Sequence, residues 1–155
     1  MQDSGHSEQY VLFRIGDETY AVPISQTQEV LRYKEPKKIP HAPTHVLGVI
    51  NLRGNLIPIV GLREKFALSS AEPTAETRVI VLIDNDRLTG IVCDSVERVV
   101  FLHSRNIEEN PSFSGKRGAA AIRGVAHLDE ADSVIFLLSL RNLTDDVAES
   151  LNTSP

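Results

Sequence analysis

Short runs rich in valine, isoleucine and leucine, cut by turn-forming residues at nearly regular intervals, extend through most of this chain of 155 residues. Runs of this length and composition, bounded by glycine, proline, asparagine or aspartate, are typical of β-strands. The first two span residues 10–15 and 20–24 and flank an acidic turn at 16–18. An all-β domain is therefore predicted between polar tails at 1–9 and 144–155.

Two short helices are predicted among the strands. Ser25 and Gln28 have the spacing of a capping box, which predicts one or two helical turns over residues 25–31. Two apolar residues four positions apart favour a second short helix over 62–68. The rest of the chain is expected to be strand, turn or loop.

An apolar hairpin follows a proline-containing loop near the middle of the chain. Three prolines keep residues 36–45 extended. The run 45–60 is expected to fold back on itself at Gly54-Asn55, a favourable two-residue turn. The small, polar stretch 69–77 is the best candidate for an internal linker. Later strands are predicted at 78–83, 87–93, 96–102, 120–128 and 133–140, with turns at 84–86 and 129–132 and an irregular segment at 103–118 that ends in the loose stretch Ser114–Gly118.

The two halves of the chain resemble each other. A shift of 68 residues places Val11 on Val79 and Ile15 on Ile83, and a slightly longer shift places 48–49 on 124–125. Such a repeat predicts two similar small β-subdomains related by a pseudo-two-fold axis. Closing their sheets into barrels would remove exposed strand edges, which are sites of unwanted pairing.

Charge and cysteine content exclude several classes of protein. Sixteen Lys and Arg against 21 Asp and Glu give a net charge of −5, whereas nucleic-acid phosphates need a clustered positive surface. Cys93 is the only cysteine, which excludes an internal disulfide and a Cys-rich metal site. No apolar run approaches the roughly 18–20 residues that span a bilayer. The protein is therefore expected to be cytoplasmic and not to insert into the membrane.

No set of residues has the pattern of a catalytic site. His41 and His45 are four residues apart, but Pro43 lies between them and denies a helical arrangement. A loop metal site and an ordinary polar loop remain as alternatives, and the second is favoured. Cys93 lies among apolar strand residues, as a small buried side chain would. No enzymatic activity, metal or cofactor is expected.

Arg53, beside a turn glycine of the apolar hairpin, has two open interpretations. Either it is a solvated residue at the hairpin tip, or a nearby carboxylate holds it and it shapes a contact surface. Sequence physics alone favours the first interpretation.

Two other functional classes are open to a small β-rich chain. One is a module of the OB type that binds single-stranded nucleic acid or oligosaccharide. The acidic charge, the absence of tryptophan and an aromatic content of 5% argue against it, because such modules stack bases on aromatic rings. The other is a hydrolase or metalloenzyme, for which only a stoichiometric bound metal would be persuasive.

The central segment VLGVINLRG, at 46–54, resembles the signature of CheW-like domains. The stretches IPIV at 57–60 and LR at 62–63, which follow it, belong to the same pattern. The neighbouring segments also keep that family's order: AVPI before EVL in the first part, prolines at 40 and 43, and GIV followed by Asp94 in the second half. The resemblance covers residues 10–143, nearly the whole chain.

The resemblance implies both a fold and a role. Family members consist of two small five-stranded β-barrels of SH3-like type packed together, with one or two short helices, and they do no chemistry. They link the cytoplasmic tips of methyl-accepting chemoreceptors to the CheW-like regulatory domain of a CheA-type histidine kinase. The resemblance therefore implies a chemosensory adaptor that is recruited to membrane receptor arrays through its partners.

The same resemblance implies site residues. Glu29 and Arg53 match two family positions that pair electrostatically near a receptor-binding groove between the subdomains. A side chain at Gly48 would obstruct partner packing. The other groove residues are expected to be Thr27, Gln28, Val49 and Asn51, and the kinase-contact region is expected at Leu47, Gly48, Gly54 and Asn55.

Two positions depart from the family pattern. The family usually has an acidic residue before Leu62-Arg63, where this chain has Gly61. It commonly has an aspartate in its closing strand, where this chain has Ser139-Leu140-Arg141. These departures bear on the output pathway, whether flagellar chemotaxis, pilus motility or another output, more than on the fold.

Overall fold

The computed structural model describes residues 7–109, 121–128 and 133–144. These residues form β-strands, one short α-helix, 3-10 turns at Ile24–Gln26 and Ser104–Asn106, and helical backbone at 140–144. The elements are β1 (Ser7–Ile15), β2 (Glu18–Pro23), β3 (Thr27–Arg32), β4 (Val46–Leu52), β5 (Asn55–Gly61), α1 (Leu62–Lys65), β6 (Arg78–Asp84), β7 (Arg87–Cys93), β8 (Ser95–His103), β9 (Ile107–Glu108), β10 (Ile122–His127) and β11 (Val134–Leu138).

The strands form two sheets, which confirms the all-β prediction with two subdomains. The first sheet has six strands in the order β8-β1-β2-β11-β10-β9, and the second has five in the order β3-β6-β7-β5-β4. The two-residue strand β9 is an addition to the five strands that were predicted for each subdomain. Within the described ranges, the main-chain ladders run in linear order and close neither sheet into a complete barrel.

The pairing pattern repeats between the two sheets. A shift of 69 residues places Ile15 on Asp84 and Glu18 on Arg87, which are the residue pairs that close the β1–β2 and β6–β7 hairpins. The same shift places Gln28, the extra residue of a bulge in β3, on the extra residue of a bulge in β8. The parallel pair β5–β7 likewise matches the parallel pair β11–β2. The two sheets therefore repeat one pairing topology, as the predicted internal repeat requires, and the pseudo-two-fold axis stays a prediction.

The shift of 68 residues that the sequence indicated is wrong by one. A slip of one residue exchanges the two faces of a strand, so the error assigns core residues to the wrong side of each sheet. Its cause is that Tyr10 to Phe13 are all buried, on both faces of β1. A strand that is apolar on both faces carries no alternation from which a register can be derived.

The subdomains do not coincide with the two halves of the chain. Strands β3 to β7 form the second sheet, whereas the first sheet combines β1 and β2 with β8 to β11. The stretch 69–77, predicted as a linker, is exposed apart from its last residue but connects α1 to β6 within the second sheet. It therefore joins two elements of one subdomain.

Three apolar clusters hold the fold together. One fills the inner side of the first sheet, around Tyr10, Leu12 and Leu137. Another fills the inner side of the second sheet, around Ile57 and Val81. The third is the inter-sheet core, to which both sheets contribute: Val11, Phe13, Ile15, Tyr20, Val22, Val46, Val60, Leu62, Ile80, Leu82, Ile91, Cys93, Ala121, Leu138, Leu140 and Leu143.

Tyr20 is a central member of the inter-sheet core. Its ring stacks on Phe13 at 5.9 Å and on Phe66 at 5.5 Å between centroids, and Phe136 lies 5.6 Å away at a tilt. Phe66 caps α1 of the second sheet, so these ring contacts tie the two subdomains together.

The helix predicted over 25–31 is wrong. Only a 3-10 turn, Ile24–Gln26, is present before β3, whose residues alternate between half-buried and exposed. Pairing with β6 satisfies the backbone of this segment, and Thr27 and Val30 suit a strand better than a helix. The helix predicted at 62–68 is present but shorter, as α1.

The hairpin β4–β5 turns one residue earlier than predicted. Leu52 pairs with Asn55, so the turn residues are Arg53 and Gly54, with φ of 50° and 89°. Positive φ at both positions is the signature of the hairpin turn that matches strand twist. The Asn51 side-chain oxygen accepts a hydrogen bond from the Gly54 N–H at 2.9 Å, which offsets the strain at Arg53.

Some predicted features lie outside the described residues. These are the turn at 129–132, the loose loop Ser114–Gly118, residues 1–6 of the predicted N-terminal tail and the C-terminal tail from 145 onward. Strand β1 begins at Ser7, three residues before the start that the sequence predicted.

Candidate functional site

The structure brings Glu29 and Arg53 together in an ion pair, through Oε2 of Glu29 and Nη2 of Arg53. Glu29 lies on β3, directly after the bulge at Gln28, and Arg53 lies in the β4–β5 turn. Bulges re-aim the side chains next to them, and this one accompanies the carboxylate that meets the hairpin tip. The carboxylate contact that the second interpretation of Arg53 requires is therefore present, and the Arg53 side chain is also exposed at the hairpin tip; that it shapes a contact surface stays a prediction.

The ion pair also joins opposite edges of the second sheet. Strand β3 is the first strand in the order of that sheet and β4 is the last. No main-chain ladder connects these two strands in the described part of the chain. Because the Glu29 and Arg53 side chains meet, the sheet must curl until its edges face each other, as an SH3-like barrel requires.

The remaining predicted groove residues lie on the same two strands. Thr27 is half-buried and donates a hydrogen bond from Oγ1 to the Pro23 carbonyl at 3.0 Å. Gln28 and Asn51 are exposed, and Val49 is half-buried. Thr27 and Gln28 directly precede Glu29 on β3. Asn51 supports the ion pair because its side-chain oxygen accepts a hydrogen bond from the Gly54 N–H in the turn.

The predicted kinase-contact residues fall into two places. Gly54 and Asn55 are exposed at the hairpin tip beside Arg53. Leu47 and Gly48 lie near the other end of β4. A Cβ at Gly48 would overlap the carbonyl oxygen of Lys37, so the close contact at this glycine is made within the chain.

Lys37 and Val49 fix that contact through a two-way backbone bridge. The N–H of each residue donates to the carbonyl of the other at 2.8 Å. The equivalent place in the first sheet is the β9–β10 pair, where a Cβ at Gly124 would lie 2.8 Å from the Glu108 carbonyl oxygen. Glycine is thus required twice, because at both places a backbone carbonyl of the paired segment lies where a Cβ would be.

Exposed apolar side chains beside the inter-sheet core were not identified from the sequence. Val99 pairs with Val11, and Phe101 lies two residues further along the same face of β8, with exposed fractions of 44% and 68%. Val30 pairs with Ile80 of the inter-sheet core and is 41% exposed. Val99 and Phe101, neighbours on one face of β8, form what we call the apolar margin; Ile24, which is 38% exposed, and Val30 are exposed apolar side chains of the second sheet's edge.

A weak signal for the apolar margin is present in the sequence. Residues 99–102 are all apolar, so both faces of β8 carry hydrophobic side chains. Only the packing decides which face is covered, because Leu102 points into the first sheet's own core and Phe101 does not.

Candidate metal ligands and the single cysteine were the remaining chemical groups of interest in the described ranges. No group of three or more His, Cys, Asp or Glu residues there could hold a metal ion. Burial, followed by the nearby charge of Asp94, raises the pKa of Cys93 to about 12, so its thiol stays protonated and unreactive. No helix within the described residues is long and apolar enough to cross a membrane.

Comparisons with known proteins agree with this arrangement. The family model of the CheW-like domain matches residues 9–148. A chemotaxis protein CheW of Rhizobium meliloti is 35% identical over 131 residues, covering 80% of this chain and 84% of that protein. A chemotaxis protein CheW of Klebsiella aerogenes is 34% identical over 149 residues, covering 92% and 90%. The crystal structure of the scaffolding protein TtCheW from Thermoanaerobacter tengcongensis matches with a TM-score of 0.81 at 27% identity, covering 90% of this chain and 94% of that chain.

Proposed function

The chain belongs to the CheW-like domain family, and from this we propose that it is a non-enzymatic adaptor that links chemoreceptor tips to a CheA-type histidine kinase. Its partner surface on the kinase is the kinase's own CheW-like regulatory domain. The adaptor domain spans residues 10–143, works in the cytoplasm and reaches membrane receptor arrays through its partners. Binding both partners raises the kinase's effective concentration near the receptor and fixes its orientation.

The apolar margin is the observation that carries this proposal. Phe101 is 68% exposed beside a core that both sheets share. Exposed apolar side chains grouped at one place, with a polar surround, mark surfaces that bind other proteins. We assign the receptor groove to this margin together with Thr27, Gln28, Glu29, Val49, Asn51 and Arg53.

The kinase-contact region is assigned to Leu47, Gly48, Gly54 and Asn55. Strand β4 is an edge strand of the second sheet; the loop at Lys37 bridges its free side at Val49, whereas Gly54 and Asn55 are exposed to a partner at the hairpin tip. Because Gly54 and Asn55 adjoin Arg53, the two proposed surfaces meet at the hairpin tip. Binding at one surface can therefore alter binding at the other, provided that the adaptor's contacts differ between receptor states.

Isothermal titration calorimetry with the purified kinase regulatory domain tests the proposal. A one-to-one complex of micromolar affinity is expected, since scaffolding contacts of modest area fall in that range. Asn55→Ala is expected to weaken this complex, because it removes an exposed side chain of the hairpin tip and leaves the close backbone contact at Gly48 undisturbed.

Receptor binding is measured separately, with a fragment of the receptor's cytoplasmic tip. Phe101→Ser is expected to weaken receptor binding while the kinase affinity stays unchanged. Failure to bind either partner would contradict the adaptor role. Tight binding of a single-stranded oligonucleotide at physiological salt would instead favour the OB-type alternative.

A further inference from the structure

Two surface cavities lie at corners of the molecule that the repeated strand pairing makes equivalent. One has a volume of 240 Å³ and includes Arg63 and Asp94 in its wall; the other has 360 Å³ and includes Arg141 and Ser25. The strand pairings place Ser25 on Asp94 and the segment after β11 on the segment after β5. The equivalent wall positions are Asp94 and Ser25, Gly61 and Ser139, Leu62 and Leu140, Arg63 and Arg141, and Leu47 and Arg123.

The first corner is closed by its own charges. Nε and Nη2 of Arg63 donate to the two carboxylate oxygens of Asp94 at 3.3 and 2.7 Å, and the N–H of Gly16 donates to the same carboxylate at 2.7 Å. A second acid, Glu64, folds over residue 61, where a Cβ would overlap its carboxylate. Hydrogen bonding to Asp94, with the charges of Asp94 and Glu64, raises the pKa of Arg63.

The second corner keeps the arginine and lacks both acids. Ser25 takes the place of Asp94, and Asn142 takes the place of Glu64. Arg141 is exposed, and no ion pair within residues 7–109, 121–128 and 133–144 includes it. The family departures at 61 and 139 therefore fall on equivalent cavity walls, but of the two equivalent arginines only Arg63 is paired with a carboxylate of the described residues.

Other charges around the second corner select among anions. The Glu8 carboxylate is already hydrogen-bonded within the cavity wall, since its oxygens accept from the hydroxyls of Tyr10 at 3.5 Å and Ser25 at 3.3 Å. Arg123 donates to the Tyr10 hydroxyl at 2.7 Å and pairs with Glu109 at 3.6 Å. Asp84 lines the cavity from the second sheet and repels dense negative charge. A singly charged carboxylate fits these surroundings better than a phosphate does.

We propose that the second corner binds a carboxylate side chain of a protein partner, with Arg141 in the role that Arg63 has toward Asp94. By the same alignment of the repeated strand pairings, Asn85 stands where Gly16 stands in the closed corner. Only the identity of the partner rests on the proposed adaptor role; the carboxylate chemistry of the contact does not. The site itself is testable on the isolated protein.

The test follows arginine Nε–H resonances by NMR during titration of the full chain with glutarate, a mimic of a glutamate side chain. We expect saturable shifts at Arg141 and none at Arg63, which is already paired. Glutaramide, the neutral analogue, is expected to leave Arg141 unchanged. Ser25→Asp supplies the missing internal carboxylate and is expected to weaken glutarate binding at least tenfold, as an internal charge-assisted pair competes with the ligand.

Three results would overturn the inference. They are the absence of a saturable shift at Arg141, equal affinity of inorganic phosphate and glutarate, and undiminished glutarate binding in Arg141→Gln. If Ser25→Asp does not fold, Arg141→Gln alone decides, since this exposed residue can change without disturbing the core. The glutarate titration contains no partner protein, so a negative result there does not bear on the adaptor proposal. A failed kinase titration likewise does not bear on the proposed carboxylate site.

Discussion

The Glu29–Arg53 pair is open to solvent mainly on the arginine side, with exposed side-chain fractions of 66% for Arg53 and 26% for Glu29. An exposed ion pair contributes only about 0–1 kcal/mol to folding. Its effect on stability is therefore small, whereas its effect on the shape of the hairpin tip is direct, since it links that tip to β3. Residues of this kind are expected to matter for partners more than for the fold.

Arg53→Ala is expected to leave the fold intact and to weaken receptor binding. The melting temperature should fall by no more than about 4 °C, the equivalent of roughly 1 kcal/mol in a chain of this size. Thermal unfolding and a receptor-tip titration provide the two measurements. Glu29→Arg combined with Arg53→Glu serves as a matched control that restores the pair. A large fall in melting temperature would make Arg53 a structural residue.

Cys93 is expected to be protected from thiol reagents in the native protein. Because the pKa of its thiol is raised to about 12, the stability linked to this group is present below the ordinary thiol pKa of about 8.5 and is lost as pH rises above it. At pH 8, labelling with a disulfide reagent should be slow in buffer and fast in denaturant. Rapid labelling of the folded protein would contradict the buried assignment.

Single residues could be predicted where their chemistry is local. The buried character of Cys93 follows from its apolar neighbours. The Glu29–Arg53 contact came from the family resemblance, because residues 24 positions apart give no local signal of meeting. Phe101 was not identified, because the exposure of one face of β8 depends on how far the second sheet extends over the first.

Strand β4 shows how an element depends on one glycine. The extended loop that precedes it pairs with the edge of the strand beside Gly48, where Lys37 and Val49 exchange backbone hydrogen bonds. This pairing holds the loop on an edge strand that would otherwise be exposed along its free side. The sequence predicted the loop from its prolines and the hairpin from its pattern, but a glycine at such a close backbone contact looks like any other glycine in a strand.

Gly48→Ala is expected to destabilise the protein by about 3 kcal/mol or more, because a methyl group would overlap backbone that cannot move independently. Gly54→Ala is the control. It has positive φ but no atom within 4 Å of the added Cβ, so only the conformational cost of about 1–2 kcal/mol applies. Chemical denaturation measures both variants. Equal losses would show that strain, and not the close backbone contact, is the cause.

At the scale of the whole molecule, the Arg63–Asp94 contact joins the sheets at one corner. Arg63 belongs to α1 beside the second sheet, and Asp94 also accepts from Gly16 in the β1–β2 turn of the first. Partial burial works to raise the pKa of Asp94, but hydrogen bonds from Arg63 and Gly16 outweigh it and hold that pKa below its ordinary value. The contact therefore depends on pH.

Asp94→Asn is expected to lower stability at pH 7 by about 1 kcal/mol, a modest value because the carboxylate is partly solvated. Since the folded pKa of Asp94 is depressed, its stabilisation is present above the ordinary pKa of about 4 and is lost as pH falls through the folded value. Melting curves from pH 7 to pH 2 should show the wild type and the variant converging at low pH. Asp17→Asn, in the exposed β1–β2 turn, is the control. A difference that persists at pH 2 would assign the loss to packing.

The sequence predicted the fold class, the repeat and most strand positions, because short apolar runs and turn residues are local signals. It did not reveal which strands share a sheet. Strands β6 and β7 begin the second half of the chain, yet they belong to the same sheet as β3, β4 and β5 from the first half. The parallel contact of β5 with β7 joins them to β5. Parallel pairing between distant segments is decided by packing, since no turn connects them.

The interleaving of the sheets also sets the order in which they can be completed during translation. Strands β3 to β7 form one continuous stretch that ends at Cys93, so the second sheet is complete once that residue has left the ribosome. Strand β2 must wait for β11, its parallel neighbour, which begins only at Val134. Strand β1 gains β8 once His103 has emerged, but the β2 side of the apolar hairpin stays unpaired until β11 follows, and a nascent chain paused between these points exposes that side to aggregation or to chaperones.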